Sequence, residues 1–166
     1  MNKNNIETIK QFLSTDKNKT LLINEVSEDI GCFYEVLLEE ISSDYKVKIN
    51  KLSSASLART SNDLFQDKII LLYHLTSSKQ IEEISKGEHQ KIIITDYKNF
   101  KKYQNKFLVI NGYQYEKDII YFLKNINNIS DENLINYCVS LPYSIFSEVT
   151  KYRVNKSGYT TDTNNK

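Results

Sequence analysis

An α/β fold, three layers around a mostly parallel five-stranded sheet, is what this sequence predicts, and two observations predict it. Five short β-forming runs (20–24, 45–52, 68–75, 91–95 and 106–110) alternate with segments of helical periodicity. The run 68–75 is almost unbroken in apolar residues, which reads as a strand buried on both faces. A chain of 166 residues has room for one such domain plus an appendage, with a core that needs no covalent staples.

Each element follows from its own residues. Residues 4–14 make an amphipathic helix through Ile6, Ile9, Phe12 and Leu13, with Asn4 as cap and Glu7 three positions on. A polar turn leads into the first strand, 20–24. The helix after residues 25–31 faces inward with Phe33, Val36, Leu37 and Ile41. In 45–52, Tyr45, Val47 and Ile49 alternate with Lys46, Lys48 and Asn50, as expected of an edge strand with one wet face. Residues 53–61 read as a short surface helix with a weak stripe through Leu57, leading to Leu64 and Phe65 and then to the strand 68–75. Thr76 and Ser77 cap a helix through Ile81 and Ile84 that ends at Gly87. The strand 91–95, a helical turn over 99–103 and the strand 106–110, closed by Asn111 and Gly112, complete the α/β region.

Beyond Gly112 the pattern is helical only. Residues 116–126 face inward with Ile119, Ile120, Leu123 and Ile126. Ser130, Asp131 and Glu132 open a helix with Leu134, Ile135, Cys138 and Leu141 on its apolar side. Pro142 suits the first turn of a further helix burying Ile145, Phe146, Val149 and Tyr152. Residues 156–166 hold no aliphatic side chain and read as a disordered tail. The expected organisation is an α/β domain over 1–113, a helical subdomain over 114–155 and the tail.

Composition excludes more than it assigns. The 22 basic and 21 acidic residues give a net charge of +1, which supplies no field for nucleic acid or an anionic membrane. The only arginines are Arg59 and Arg153, so the planar group used for bidentate phosphate or base contacts is nearly missing. Twelve tyrosines fall mostly at core-compatible spacings, and the reading is that basic residues do not interleave them into a stacking platform. Cys32 and Cys138 lie far apart in apolar helical patterns, as buried thiols of a reducing compartment do. Residues 1–5 lack the apolar segment of a secretory signal, and no apolar run approaches the ~20 residues that span a bilayer. The expectation is a cytoplasmic protein.

Catalytic motifs are equally sparse. No Gly-x-x-x-x-Gly-Lys-Ser/Thr occurs, and the loop after the first strand, Asn24-Glu-Val-Ser-Glu-Asp-Ile-Gly31, carries carboxylates that would repel phosphate. His74 and His89 have no metal-ligand spacing with Cys, Asp or Glu. Asp96 ends the fourth strand, where open α/β sheets carry ligands, but it lacks an acidic pair near the first strand. The expectation is a protein without cofactor, metal or catalytic residue. The alternative is a small enzyme, or an unrelated interaction subunit, acting at the carboxyl ends of the strands; as an enzyme it would use Asn24, Glu25, His74 and Asp96.

Leu64 and Phe65 are the distinctive feature. Two large apolar side chains stand between Asn62, Asp63, Gln66 and Asp67, directly before the apolar strand. They either plug the edge of the core or stand out to grip a partner. Buried together on a partner they would contribute on the order of 3–5 kcal/mol before association costs, enough for a hot spot.

Several features then follow in a familiar order. These are a first strand without a phosphate loop, a helix, an edge strand, Leu64-Phe65 running into a strand, Ile92-Ile-Ile-Thr-Asp96, Phe107 to Ile110 and Tyr115-Glu-Lys-Asp-Ile-Ile-Tyr-Phe-Leu123. This order, over roughly residues 5 to 152, resembles the N-terminal part of the delta subunit of the bacterial DNA polymerase III clamp loader. The resemblance implies a degenerate, P-loop-like AAA+ module without the P-loop, which binds no ATP, followed by the beginning of a small helical lid. It also implies a clamp-binding element at Leu64 and Phe65, with Asp63, Gln66 and Arg59 at its rim. The implied partners are the sliding clamp and other clamp-loader or replisome subunits, with nucleic acid met only indirectly. The family's C-terminal helical collar has no counterpart in these residues.

Overall fold

The computed structural model describes residues 4–15, 17–52 and 69–140. Leu64, Phe65, Asp63, Gln66 and Arg59 lie outside the described residues, as do the predicted helix over 53–61 and everything from Leu141 onward.

Five strands form one sheet: β1 (Thr20–Asn24), β2 (Lys48–Lys51), β3 (Ile69–His74), β4 (Lys91–Thr95) and β5 (Leu108–Ile110). Their order is β2-β3-β4-β1-β5 and every pairing is parallel, so the α/β expectation holds with no antiparallel strand among the described residues. The helices are α1 (Asn5–Ser14), α2 (Glu28–Ser42), α3 (Ser78–Ser85), α4 (Tyr97–Tyr103), α5 (Tyr115–Tyr121) and α6 (Glu132–Val139).

The strand pleat sorts the core into two layers. Leu21 and Ile23, Ile70 and Leu72, and Ile92 and Ile94 pack with α1, α2, α5 and α6. Their alternates Leu22, Leu71, Tyr73 and Ile93 pack with Ile81 of α3 and with Phe100 and Tyr103 of α4. Right-handed crossovers account for the sorting. From β1 the chain moves to β2 at one edge, with α2 on the first face. From β3 to β4 and from β4 to β5 it moves the other way, so α3 and α4 lie on the opposite face.

Local signals set most element ends. Asn4 accepts from the Glu7 amide at 2.8 Å, Ser77 from Gln80 at 3.3 Å and Asp131 from Asn133 at 2.9 Å, each as an N-cap. Other ends differ from the sequence reading. Tyr45 belongs to a 3-10 turn, Ser43–Tyr45, and Lys46 takes a left-handed conformation at φ 56°, so β2 starts only at Lys48. The amides of Lys106 and Phe107 turn back to the Tyr103 carbonyl at 2.9 and 3.2 Å, which shortens β5. Asp96 accepts from the Asn99 amide at 2.9 Å and starts α4 at Tyr97, two residues earlier than expected. A π-helical turn, Phe122–Ile126, follows α5 and rotates Phe122 and Leu123 into the core, leaving Ile120 and Ile126 half-buried. No helix among the described residues is long and apolar enough to cross a membrane.

One polar node sits inside the first layer. The Asp118 carboxylate is 2 % exposed and accepts from the Tyr34 hydroxyl at 2.6 Å and from Asn5 Nδ2 at 2.8 Å. Asn5 also donates to the Asn111 carbonyl at 3.0 Å, so one amide joins α1, α5 and the exit of β5. Burial raises the Asp118 pKa, and the two hydrogen bonds oppose that rise. Replacing Tyr34 by Phe removes a donor from a buried carboxylate. Tyr34→Phe is expected to lose about 1.5–3 kcal/mol in urea unfolding; a loss under about 0.5 kcal/mol would mean that the node contributes little.

Candidate functional site

In an open parallel sheet the ligand position lies at the carboxyl ends of the strands, where neighbouring strands send their connections in opposite directions. Here that point falls between β1, which leads to β2, and β4, which leads to β5. The sequence reading brought Asn24, Glu25, His74 and Asp96 to this edge. The structure brings two of them together.

Asn24 is fully buried and turned toward β5. Its Oδ1 accepts the Gly112 amide in a short hydrogen bond. Gly112 is required there by close approach: a Cβ at that position would run into the Asn24 carbonyl oxygen. Asp96 is committed as the α4 cap. Neither carboxamide nor carboxylate faces the other two groups.

Glu25 and His74 do meet. His74 Nδ1 lies 3.7 Å from Glu25 Oε2, and His74 Nε2 is 2.7 Å from Glu35 Oε2. Lys51, the last residue of β2, contacts Glu35 at 3.1 Å and Glu39 at 3.3 Å. An acid–imidazole–acid–lysine chain thus runs across the exits of β1, β3 and β2. The Glu25 carboxylate also folds over Gly31 in the first turns of α2, in space that a Cβ at Gly31 would fill. The Glu25 amide donates to the Thr95 carbonyl at 2.7 Å, extending the β1–β4 ladder into the loop. The position after the first strand that a phosphate-binding loop would use therefore holds the chain's own carboxylate.

The electrostatics follow from this packing. The hydrogen bond to Glu35 raises the His74 pKa above its ordinary value, against the opposing effect of burial. Burial pushes the Glu25 carboxyl up, and His74 only partly offsets that. For Glu35, burial acts upward too, but the bonds from His74 and Lys51 outweigh it and hold the carboxyl below its ordinary value. Glu35 and Lys51 were not named from the sequence, and Glu39, beside Glu40, reads there only as part of a solvated helix face. Glu35 and Glu39 share a helix face at i and i+4, but only the β2–β3 pairing shows which lysine and histidine that face meets.

Among the described residues no group of three or more His, Cys, Asp or Glu side chains is placed to hold a metal ion. Cys32 is half-buried on α2 and Cys138 buried on α6, and neither forms a disulfide. A cavity of about 440 Å³ opens beside Asp96, lined by Thr76, Ser78, Lys98, Asn99 and Lys102. No protein-family model matches the chain, and no curated protein matches it.

The sign of the histidine's contribution is fixed by its raised pKa. The protonated imidazole stabilises the fold below its unfolded-state pKa of about 6.5, and that contribution disappears as pH climbs through the higher folded value. With the ring half-exposed, solvent limits the effect to about 0.5–1 kcal/mol. Wild type is therefore expected to exceed His74→Gln in stability by that amount near about pH 6, and the gap should close by about pH 9 in denaturant titrations. A gap that widens with pH would contradict the ion-pair geometry.

Proposed function

We propose that this chain is a non-catalytic, delta-like clamp-loader module that binds the DNA sliding clamp through Leu64 and Phe65, with Asp63, Gln66 and Arg59 around the contact. The observation that carries the reading is the Leu-Phe pair among polar neighbours immediately before the apolar strand β3. Two described features support it. The all-parallel sheet with β1 inside it agrees with an AAA+-like core. The Glu25 carboxylate over Gly31 supports a scaffold that does not use a triphosphate at the first strand's exit.

In this reading the protein performs no bond chemistry. Insertion of the two side chains into an apolar pocket on the clamp favours a distorted clamp interface, and the α/β unit serves as a rigid handle. Other clamp-loader or replisome subunits are the further partners, and the location is cytoplasmic. The enzymatic alternative has less support, because Asn24 and Asp96 are turned away from the Glu25–His74 pair.

Interferometry with the host's sliding clamp tests the proposal directly. Leu64→Ala combined with Phe65→Ala is expected to weaken binding at least about ten-fold, as loss of an apolar hot spot does. Undiminished binding by a double variant that melts like wild type would exclude this surface, and so would absence of binding by wild type.

A further inference from the structure

The exits of β4, β1 and β5, neighbours in the sheet, carry exposed large apolar residues: Tyr97, Val26 and Tyr113. Tyr97 is 47 % and Tyr113 58 % exposed. Their rings meet edge to face, with centroids 5.5 Å apart at 83°. Phe100, itself buried, stacks on Tyr97 with centroids 6.2 Å apart at 28°, so the space beneath the tyrosine is already filled. The pair is held outward by its own packing.

Cations follow it along α4. Residues 97–115 contain Lys98, Lys101, Lys102 and Lys106 and no acidic residue, and all four lysines are exposed. Lys98 and Lys102 border the 440 Å³ cavity next to Tyr97, whose remaining lining is Thr76, Ser78, Asn99 and Asp96. Lys102 Nζ donates to Ser78 Oγ at 2.7 Å, which fixes it at the cavity mouth. Exposed Glu28, two residues beyond Val26, and Glu116, three beyond Tyr113, border the face on its other side, and the acids on the α4 side are engaged. Asp96 holds the Asn99 amide, and Glu82 accepts from the Tyr103 hydroxyl at 2.6 Å and lies 3.9 Å from Lys102.

We propose that this face binds single-stranded nucleic acid. Tyr97 and Tyr113 stack bases, and Lys98 and Lys102 hold backbone phosphates at the adjoining cavity. Exposed aromatic faces beside a cationic, hydroxyl-lined groove are the chemistry of sequence-tolerant strand binding. A protein contact is less favoured, because lysine is depleted from the centres of protein interfaces and here it flanks the aromatics. The sequence expectation of no basic interleaving took the tyrosines in bulk. The α4 segment Tyr97-Lys-Asn-Phe-Lys-Lys-Tyr103 interleaves them locally, and the fold turns Tyr97 outward. The proposal goes beyond clamp binding and uses none of its residues.

Fluorescence anisotropy of a labelled oligo-deoxythymidine of about 20 nucleotides, titrated with the full chain at several salt concentrations, tests it. Wild type is expected to bind, and more weakly as salt rises. Tyr97→Ala and Tyr113→Ala should each weaken binding at least about five-fold with the salt slope unchanged. Lys98→Gln with Lys102→Gln should lower the slope by about 1.4, roughly 0.7 for each lost phosphate contact. Tyr113, the more exposed ring, keeps the test decisive if Tyr97→Ala disturbs Phe100. Leu64→Ala/Phe65→Ala should bind the oligonucleotide like wild type, which separates this site from clamp binding. No binding at low salt, or binding indifferent to both tyrosines, would overturn the proposal. Capture of polyglutamate with the same tyrosine dependence would also overturn it, marking the face as a receptor for acidic protein.

Discussion

The buried Asp118 carboxylate is the constraint from which the geometry of the strand ends follows. A carboxylate removed from water is unfavourable unless donors replace its hydration. Tyr34 from α2 and Asn5 from α1 are those donors, so both helices are fixed relative to α5. Asn5 in turn donates to the Asn111 carbonyl and accepts from the Asn111 amide at 3.4 Å, which sets the exit of β5. Gly112 follows directly, close against the Asn24 carbonyl with its amide on the Asn24 side chain. The end of β1 is thereby tied to a polar group on a different layer.

This chain of contacts determines what the carboxyl edge of the sheet can be. Opposite connection directions from β1 and β4 ordinarily leave a crevice for a ligand. In this protein Asn24 turns toward Gly112, Glu25 lies over Gly31, and Asp96 caps α4. Asn24 Oδ1, the Glu25 carboxylate and Asp96 Oδ1 are thus engaged within the chain, while Asn24 Nδ2 is buried without a hydrogen-bond partner. Facing solvent near those exits are Tyr97, Tyr113 and Lys98, together with Val26 and the acidic Glu28. An edge of that kind is suited to holding a ligand against its surface, which is the ground of the binding proposals.

The fold was legible from the sequence wherever the determining interaction is local. The strands β1 and β4 begin and end where their apolar runs do, and the Asn4, Ser77 and Asp131 caps act on amides two or three residues away. Legibility failed where the cause is distant. Asp118 reads as one more polar residue on an amphipathic helix until Tyr34 and Asn5, 84 and 113 residues away in the chain, close on it. Glu35 and Lys51 reveal themselves only once β2 pairs with β3 beneath α2. The π-helical turn changes the phase of the apolar stripe, so a constant helical period names Ile126 where Phe122 is the buried residue. Of the site residues, His74 and Glu25 were found because both end strands, and Asn24 and Asp96 were misjudged because their side-chain directions depend on Gly112 and Asn99.

The sheet order also bears on whether two binding activities could coexist on one small domain. The connection that contains Leu64 and Phe65 is anchored at β2 and β3, on one side of the sheet. Tyr113 follows β5, the opposite edge, three strand positions from β3 in the order β3-β4-β1-β5. At about 4.8 Å per strand that separation is roughly 14 Å for Tyr113, whereas Tyr97 follows β4, one strand from β3. Lys51 at the β2 end is occupied by Glu35 and Glu39, whereas the lysines of α4 lie on the face opposite α2. A ligand drawn to the α4 cations thus lies on the face opposite α2, reaching the exit of β3 only through Thr76 and Ser78.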